Sequence, residues 1–193
     1  MLLRLGMSVH LHHKRVGHQL IEEIRELAQE LAPSGFKMAG GCVYLAAAGI
    51  LVLRNHGIEA LPQAGDMSWP IVWPKDDNGR GPTHFSYVWE PRSLISITAM
   101  RMGKLPEVHA WLGIPKTREI VDLSTRFLVE QCTDTAGLEW KTDPPPDYLW
   151  ADQLPDGVYY RPVKDATMMV AGMIKEIWSE NRQLLSGVAC SKG

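Results

Sequence analysis

The chain has 193 residues, of which 45% are hydrophobic and 22% are charged, a composition typical of one globular domain rather than of a disordered segment. Its formal net charge is −2 and no long run of one charge occurs, so neither nucleic acid nor an anionic membrane is expected as a partner. The three cysteines form no CxxC pair, which favours neither a disulfide framework nor a structural zinc site. We expect one domain over residues 1–193, with frayed ends at about 1–8 and 187–193.

The amino-terminal region predicts an amphipathic helix and no membrane anchor. Apolar residues recur every three or four positions from Val16 to Leu31, and Pro33 ends the pattern. The opening residues lack the apolar core of a signal peptide, and the longest apolar stretch, Cys42 to Leu53, falls short of the ~20 residues that span a bilayer. A cytoplasmic protein of bacterial type is therefore expected.

The segment from Cys42 to Asn55 is apolar nearly all round and predicts a helix in the centre of the fold. Gly57 follows as a C′ cap, since glycine readily takes the left-handed conformation that ends many helices. Gly40 and Gly41 precede the helix and permit a close approach of the backbone at its first turn.

The remainder of the chain predicts strands and then helices. Short segments separated by glycine and proline indicate an antiparallel sheet or half-barrel, with strands at Ile58–Ala64, His84–Trp89, Leu94–Met100, Glu107–Leu112 and Glu119–Ser124. A short helix is expected at Thr125–Cys132, and Asp165 is a candidate cap for a longer helix that continues to Leu184. The predicted fold class is α+β, with a buried central helix on the sheet and flanking helices at both ends.

Cys42 lies at the predicted start of the buried helix, which is where reactive thiols are often found. Unpaired backbone N–H groups and the positive end of the helix dipole stabilise a thiolate, so the pKa of Cys42 is expected to fall below the ~8.5 of a free thiol. The same N–H groups are candidate donors to an oxyanion.

His109 and Asp122 lie on two predicted strands that a short turn makes neighbours. Strand alternation turns His109 and Trp111 to one side, and Asp122 shares a side with Ile120 on the next strand. Asp122 is then able to hold the imidazole, and His109 to accept the proton of Cys42. A nucleophile, a base and an orienting group are the three parts of covalent catalysis.

The sequences GGCVYLAAAGILVLRNHGIEA, VHAWLGI and EIVDLST together resemble the papain-like superfamily of cysteine hydrolases, above all its transglutaminase-like branch. A weaker similarity is to a small group of bacterial proteins on this fold. The resemblance covers residues 40–125 and implies a catalytic triad of Cys42, His109 and Asp122. This chain departs from the pattern because no glutamine precedes Cys42 as an oxyanion donor. Leu112 and Gly113 also stand where many relatives have valine and glutamate.

The function expected from this resemblance is a thiol-dependent hydrolase or acyltransferase that acts on a peptide, another amide or isopeptide, or an ester through a thioester intermediate. Gly41, Trp111 and Trp89 are candidate substrate-binding residues. No cofactor is expected, and no metal site, since His10, His12 and His13 have no carboxylate or thiolate nearby.

Two alternatives stay open. The first is a catalytically idle member of the papain-like fold that serves as a binding or assembly module. The second is an acyl-CoA-dependent transferase that uses the same three groups, as arylamine acetyltransferases do, although no basic phosphate-binding loop supports it.

Overall fold

The computed structural model of the protein describes residues 18–72, 83–94, 97 and 108–190, with the side chains of residues 187–190 left out. Its helices are α1 (18–31), α2 (Cys42–Asn55), α3 (Leu128–Ala136), α4 (Lys164–Glu180) and α5 (Arg182–Cys190). Its strands are β1 (Leu61–Val72), β2 (Thr83–Tyr87), β3 (His109–Ile114), β4 (Glu119–Asp122), β5 (Leu149–Ala151) and β6 (Tyr159–Pro162). The α+β class predicted from the sequence is confirmed.

The strands form one antiparallel, curled sheet in the order β2-β1-β3-β4-β5, with β6 paired to β1. Strand β1 pairs with β3 along its first half, and β6 pairs with β1 further along. The two partners meet at Gly65, which is opposite both His109 and Pro162. A Cβ atom on Gly65 would lie 2.3 Å from the backbone oxygen of Arg161, and φ is +154°, so this position requires glycine.

Helix α2 is buried between the sheet and the flanking helices α1 and α4, as its apolar sequence predicts. The helix approaches β3 closely at Gly49, where a Cβ atom would lie 2.6 Å from Cδ1 of Leu112. Its carboxyl end is capped as expected: Gly57 has φ +74°, and the N–H groups of Gly57 and Ile58 donate to the carbonyls of Arg54 and Leu53. The sheet face toward α2 is apolar.

The opposite face of the sheet is lined largely by aromatic side chains. The cluster on this side is completed by Leu128 and Cys132 of α3, and its other buried members are Met67, Trp69, Ile71, Phe85, Trp111, Leu149 and Tyr160. Because side chains alternate along a strand, β3 and β4 contribute to both faces of the sheet.

Several local expectations differ from the structure. The strand predicted at Leu94–Met100 is wrong at Leu94 and Ile97, because both residues are helical. The N–H of Ile97 donates to the carbonyl of Ser93. The other residues of that segment lie outside the described residues. Asp165 is not a cap, because the α4 N-cap is Val163 and Asp165 lies inside the first turn.

The ends of the chain were expected to fray. Residues 187–190 continue helix α5, whereas residues 1–8 and 191–193 lie outside the part that the structure describes, as do the histidines of the amino-terminal segment. Within the described residues no helix is long and apolar enough to cross a membrane.

Candidate active site

Helix α2 begins at Cys42, as the sequence predicts, and Gly41 is its N-cap residue. The N–H of Gly41 donates to the carbonyl of Met38 at 2.8 Å, and the Gly41 carbonyl accepts from Leu45 at 3.0 Å. A Cβ atom on Gly41 would lie 2.9 Å from Cε and 3.0 Å from the backbone oxygen of Met38. Glycine therefore permits the tight turn that leads into the cysteine. No substrate contact is visible for Gly41, so that role stays a prediction.

Cys42 is partly exposed as a residue, but its thiol is buried and faces the backbone of β3. Its Sγ lies 3.9 Å from the carbonyl oxygen of Val108, and the N–H of Ala110 also donates toward it. Pairing between β3 and β4 stops at Leu112 and Val121, so this edge of β3 is left for the sulfur. Val108 and Ala110 are the residues on either side of His109, which brings nucleophile and base candidates to the same end of the strand.

The environment of Cys42 disfavours the thiolate. Burial raises the pKa of the thiol from 9.0 to about 11, the negative charge of Asp122 acts in the same direction, and N–H groups of Ala110 and of the first turn of α2 lower it only in part. Most of the residues that line the crevice beside the sulfur are apolar, Leu45, Leu112, Val121 and Leu123 among them. The lowered pKa that we expected from the helix dipole is therefore wrong, because loss of solvation is the larger effect.

His109 and Asp122 form a buried, hydrogen-bonded pair. Nε2 of His109 lies 2.6 Å from Oδ2 of Asp122, and the two residues are 2% and 0% exposed. The side chains meet because Leu112 and Val121 are opposite each other, which places Asp122 on the same face of the sheet as Trp111 and, two residues earlier on β3, His109. The strand alternation read from the sequence is confirmed at both residues.

The carboxylate of Asp122 has three further donors. Its Oδ1 accepts from the N–H of Ser124 at 2.9 Å and from Ser124 Oγ at 2.7 Å, and its Oδ2 accepts from the hydroxyl of Tyr160 at 2.6 Å. Burial alone would raise the pKa of Asp122, but the attraction and hydrogen bond of His109, with the bonds from Tyr160 and Ser124, hold it below its usual 3.8. Asp122 is thus an ionised carboxylate in a buried setting.

Aromatic rings surround the imidazole. The ring of Tyr87 stacks on His109 with 5.4 Å between centroids, and Trp111 lies 6.1 Å away on a nearly parallel plane. Trp111 is only 1% exposed and its indole N–H donates to Gln63. Its ring also contacts the base candidate, and its predicted contact with a substrate stays a prediction.

Trp89, the other tryptophan predicted to bind substrate, is partly exposed. Its backbone N–H donates to Oδ1 of Asp66 at 2.8 Å, and Asp66 also pairs with Arg161 of β6. These contacts tie the segment after β2 to the centre of the sheet. The side chain packs against the cluster around α2, so its role toward a substrate is also still a prediction.

The structure shows no hydrogen bond between the thiol of Cys42 and the imidazole of His109. Among the described residues the hydrogen bonds of Cys42 go to the backbone, and that of His109 goes through Nε2 to Asp122. Nδ1 is the imidazole nitrogen that is left to accept a proton. Any proton transfer from Cys42 to His109 would start from a thiol that is bonded to the Val108 carbonyl and not to the imidazole.

Sequence reasoning missed Ser124 and Tyr160. Ser124 follows Asp122 by two residues, which is a spacing at which a side chain and backbone N–H commonly bond a preceding aspartate. Tyr160 is 38 residues from Asp122 and carries no local signal.

Comparisons with protein-family models, with curated proteins and with solved structures found no match to this chain. Within the described residues no group of three or more histidine, cysteine, aspartate or glutamate side chains is arranged to hold a metal ion.

Proposed function

We propose that the protein is a thiol-dependent hydrolase or acyltransferase of papain-like, transglutaminase-like architecture, with Cys42, His109 and Asp122 as its catalytic triad. The observation that carries the proposal is the buried 2.6 Å hydrogen bond between His109 and Asp122 beside the amino-terminal end of the cysteine helix. A histidine held by an ionised carboxylate is the usual base for a thiol nucleophile. The substrate class is an amide, an isopeptide or an ester.

The proposed reaction has two steps. In the first, His109 accepts the Cys42 proton as the sulfur attacks the carbonyl carbon, and the imidazolium then returns a proton to the leaving amine or alcohol, which leaves a thioester. In the second, water or an amine gives its proton to His109 and attacks the thioester, and the thiol is regenerated. N–H groups of Ala110 and of the first turn of α2, which already donate toward the sulfur, are the candidate oxyanion donors.

The raised pKa of Cys42 indicates which form of the triad is present before substrate binds. A thiol with a pKa of about 11 is neutral at pH 7, so His109 acts as a general base during the attack instead of holding a preformed thiolate. Asp122 stabilises the imidazolium that forms, because it is ionised and directly bonded to Nε2.

A catalytically idle, papain-like binding or assembly module is the second candidate. The observation in its favour is that Cys42 is neutral and bonds the β3 backbone rather than the imidazole. In that case His109 and Asp122 are only a buried polar pair whose hydrogen-bonding groups have partners, and they have a structural role.

Acylation with p-nitrophenyl acetate distinguishes the two candidates. Its rate is measured from the release of nitrophenol, and the acylated residue is identified from the intact mass of the protein and its variants. We expect a single acetyl group on Cys42, lost in Cys42→Ala, and a rate about 100-fold lower in His109→Ala. Cys132→Ala is the matched control, because Cys132 is a buried thiol in α3 whose hydrogen bond goes to the carbonyl of Leu138 and not to a member of the triad. Its acylation rate should equal that of the unaltered chain.

The outcome against catalysis is equally specific. If iodoacetamide modifies Cys42 with an apparent pKa near 11 that is the same in His109→Ala, and no acetyl-cysteine accumulates, the thiol is not coupled to the imidazole. The idle-module function would then replace the hydrolase.

A further inference from the structure

We propose that Tyr160 is a positioning residue of the site, which fixes the Asp122 carboxylate, and through it the His109 imidazole, by a directed hydrogen-bond chain that begins at Trp69. The effect on turnover rests on the proposed function, whereas the effect on the imidazole is independent of it. No part of the sequence pattern around Cys42, His109 and Asp122 includes this tyrosine.

The first step is the direction of the chain. The indole Nε1 of Trp69 lies 3.2 Å from the hydroxyl oxygen of Tyr160, and that hydroxyl lies 2.6 Å from Oδ2 of Asp122. An indole N–H is only a donor and an ionised carboxylate only an acceptor. The hydroxyl therefore accepts from Trp69 and gives its own proton to Asp122, and no reversal of this chain is possible.

The second step is the strand that brings Tyr160 to the carboxylate. Tyr160 lies on β6, which pairs with β1 opposite Met67, and Trp69 follows two residues later on β1. Tyr160 is 8% exposed and its ring is 5.2 Å from that of Trp111 and 6.1 Å from the imidazole. Packing and pairing thus hold the hydroxyl at one position.

The third step concerns the carboxylate. Oδ1 of Asp122 accepts two bonds from Ser124, and Oδ2 accepts one from Tyr160 and one from His109. Four donors occupy the acceptor capacity of a carboxylate, so the group has no freedom to rotate. His109 must then donate from Nε2, which leaves Nδ1 as the acceptor for a thiol proton.

The surrounding ionisable groups are consistent with this direction. Asp122 is faced by His109 from β3 and by Tyr160 from β6, and its charge also acts on Cys42 of α2. Burial and the adjacent carboxylate raise the pKa of Tyr160 well above 10, so the hydroxyl keeps its proton at working pH.

The test is the rate at which the His109 Nε2 proton exchanges with solvent in Tyr160→Phe. NMR of protein with isotope-labelled imidazole measures this rate at neutral pH. Removing one of the two donors on Oδ2 frees the carboxylate to rotate, so we expect exchange about 10-fold faster than in the unaltered chain. Tyr159→Phe is the matched control, because Tyr159 is the preceding residue of β6 and is 49% exposed. Its exchange rate should be unchanged.

Kinetics supply a second measurement. In Tyr160→Phe, kcat for p-nitrophenyl acetate should fall about 10-fold while KM stays within a factor of two, because the tyrosine acts on the base and not on the ester. Trp69→Phe, which keeps the hydroxyl but removes its orienting donor, should change both measurements in the same direction and by less.

An unchanged exchange rate in Tyr160→Phe overturns the proposal, and so does an equal effect from Tyr159→Phe. If Tyr160→Phe does not fold, the result for Trp69→Phe decides: accelerated exchange supports the directed chain and an unchanged rate overturns it. Absence of Cys42 acylation in the unaltered chain would count against the proposed function alone, since the exchange rates still decide the role of Tyr160.

Discussion

The two faces of strands β3 and β4 shift the pKa of a buried acidic group in opposite directions. On the face toward α2, the thiol of Cys42 lies beside apolar side chains such as Leu112 and Val121, and its pKa is raised to about 11. On the opposite face, the carboxyl group of Asp122 is fully buried, yet its pKa is held below the usual value. Consecutive residues of one strand thus contribute to two environments with opposite effects on ionisation.

The number and kind of hydrogen-bond donors explain the contrast. Asp122 receives four bonds, one of them from a histidine, which together outweigh the cost of removing its charge from water. Cys42 receives only backbone N–H groups, among apolar neighbours, and burial is the larger effect. A helix amino terminus by itself does not make a thiolate when the sulfur is desolvated.

The largest effect is expected from removing the carboxylate. Asp122→Ala leaves the imidazole of His109, the hydroxyl of Tyr160 and both donors of Ser124 without their acceptor, so the free energy of unfolding should fall by about 3–5 kcal/mol in urea denaturation. Glu119→Gln, on the same strand but at its partly exposed end, should change it by less than about 0.5 kcal/mol. Equal losses in the two variants would show that the network contributes no specific stability.

A smaller effect is expected at the junction between β3 and β6. Gly65→Ala forces a methyl group against the backbone of Arg161 and should lower the free energy of unfolding by about 2–3 kcal/mol. Gly172→Ala is the matched comparison, since Gly172 is an exposed position of helix α4 with nothing within 4 Å of its Cβ position, and it should raise stability by about 0.5–1 kcal/mol.

Thermal denaturation of these two variants provides the measurement. Opposite signs of the change in Tm are expected. A Gly65→Ala variant as stable as the unaltered chain would mean that β1 tolerates a side chain where its two partner strands meet.

The smallest effect concerns the thiol at alkaline pH. An unfolded thiol ionises near 9.0, whereas Cys42 in the folded chain stays protonated up to about 11. Below pH 9 both states hold the proton, and between pH 9 and 11 the unfolded state loses it first, so stability falls as pH rises through that window. Relative to Cys42→Ala, the unaltered chain should therefore lose about 2 kcal/mol between pH 8 and 11.

Urea denaturation at a series of pH values measures this difference, and the variant corrects for tyrosine and lysine titration, which both chains share. A pH-independent difference would mean that burial does not penalise the thiolate, and the contrast between the two faces would disappear.

The sequence predicted the α+β class, the central helix that begins at Cys42, and the common face of His109 and Asp122. These features follow from local periodicity: apolar residues all round a helix, and alternation along two strands joined by a short turn. The contact between His109 and Asp122 was predictable because only a short turn separates their strands.

Other features depend on contacts between distant segments. Tyr160 reaches Asp122 because β6 returns to pair with β1, which no local pattern indicates. The pKa of Cys42 depends on how tightly the crevice closes around the sulfur, and the sequence-based expectation considered only the helix dipole. Leu94 and Ile97 lie in a segment whose pattern predicts a strand, yet both are helical, so local pattern did not decide the conformation at these two positions.

The pairing of β6 with β1 also sets the order in which a growing chain is able to complete the site. The ribosome releases the segments that carry the thiol, imidazole and carboxylate well before residues 159–162, so a nascent chain has all three groups before it has the Tyr160 hydroxyl. Until β6 arrives, the edge of β1 from Gly65 to Ser68 is available to strands of other nascent chains. The strand that fixes the carboxylate is thus also the strand that closes this edge during synthesis.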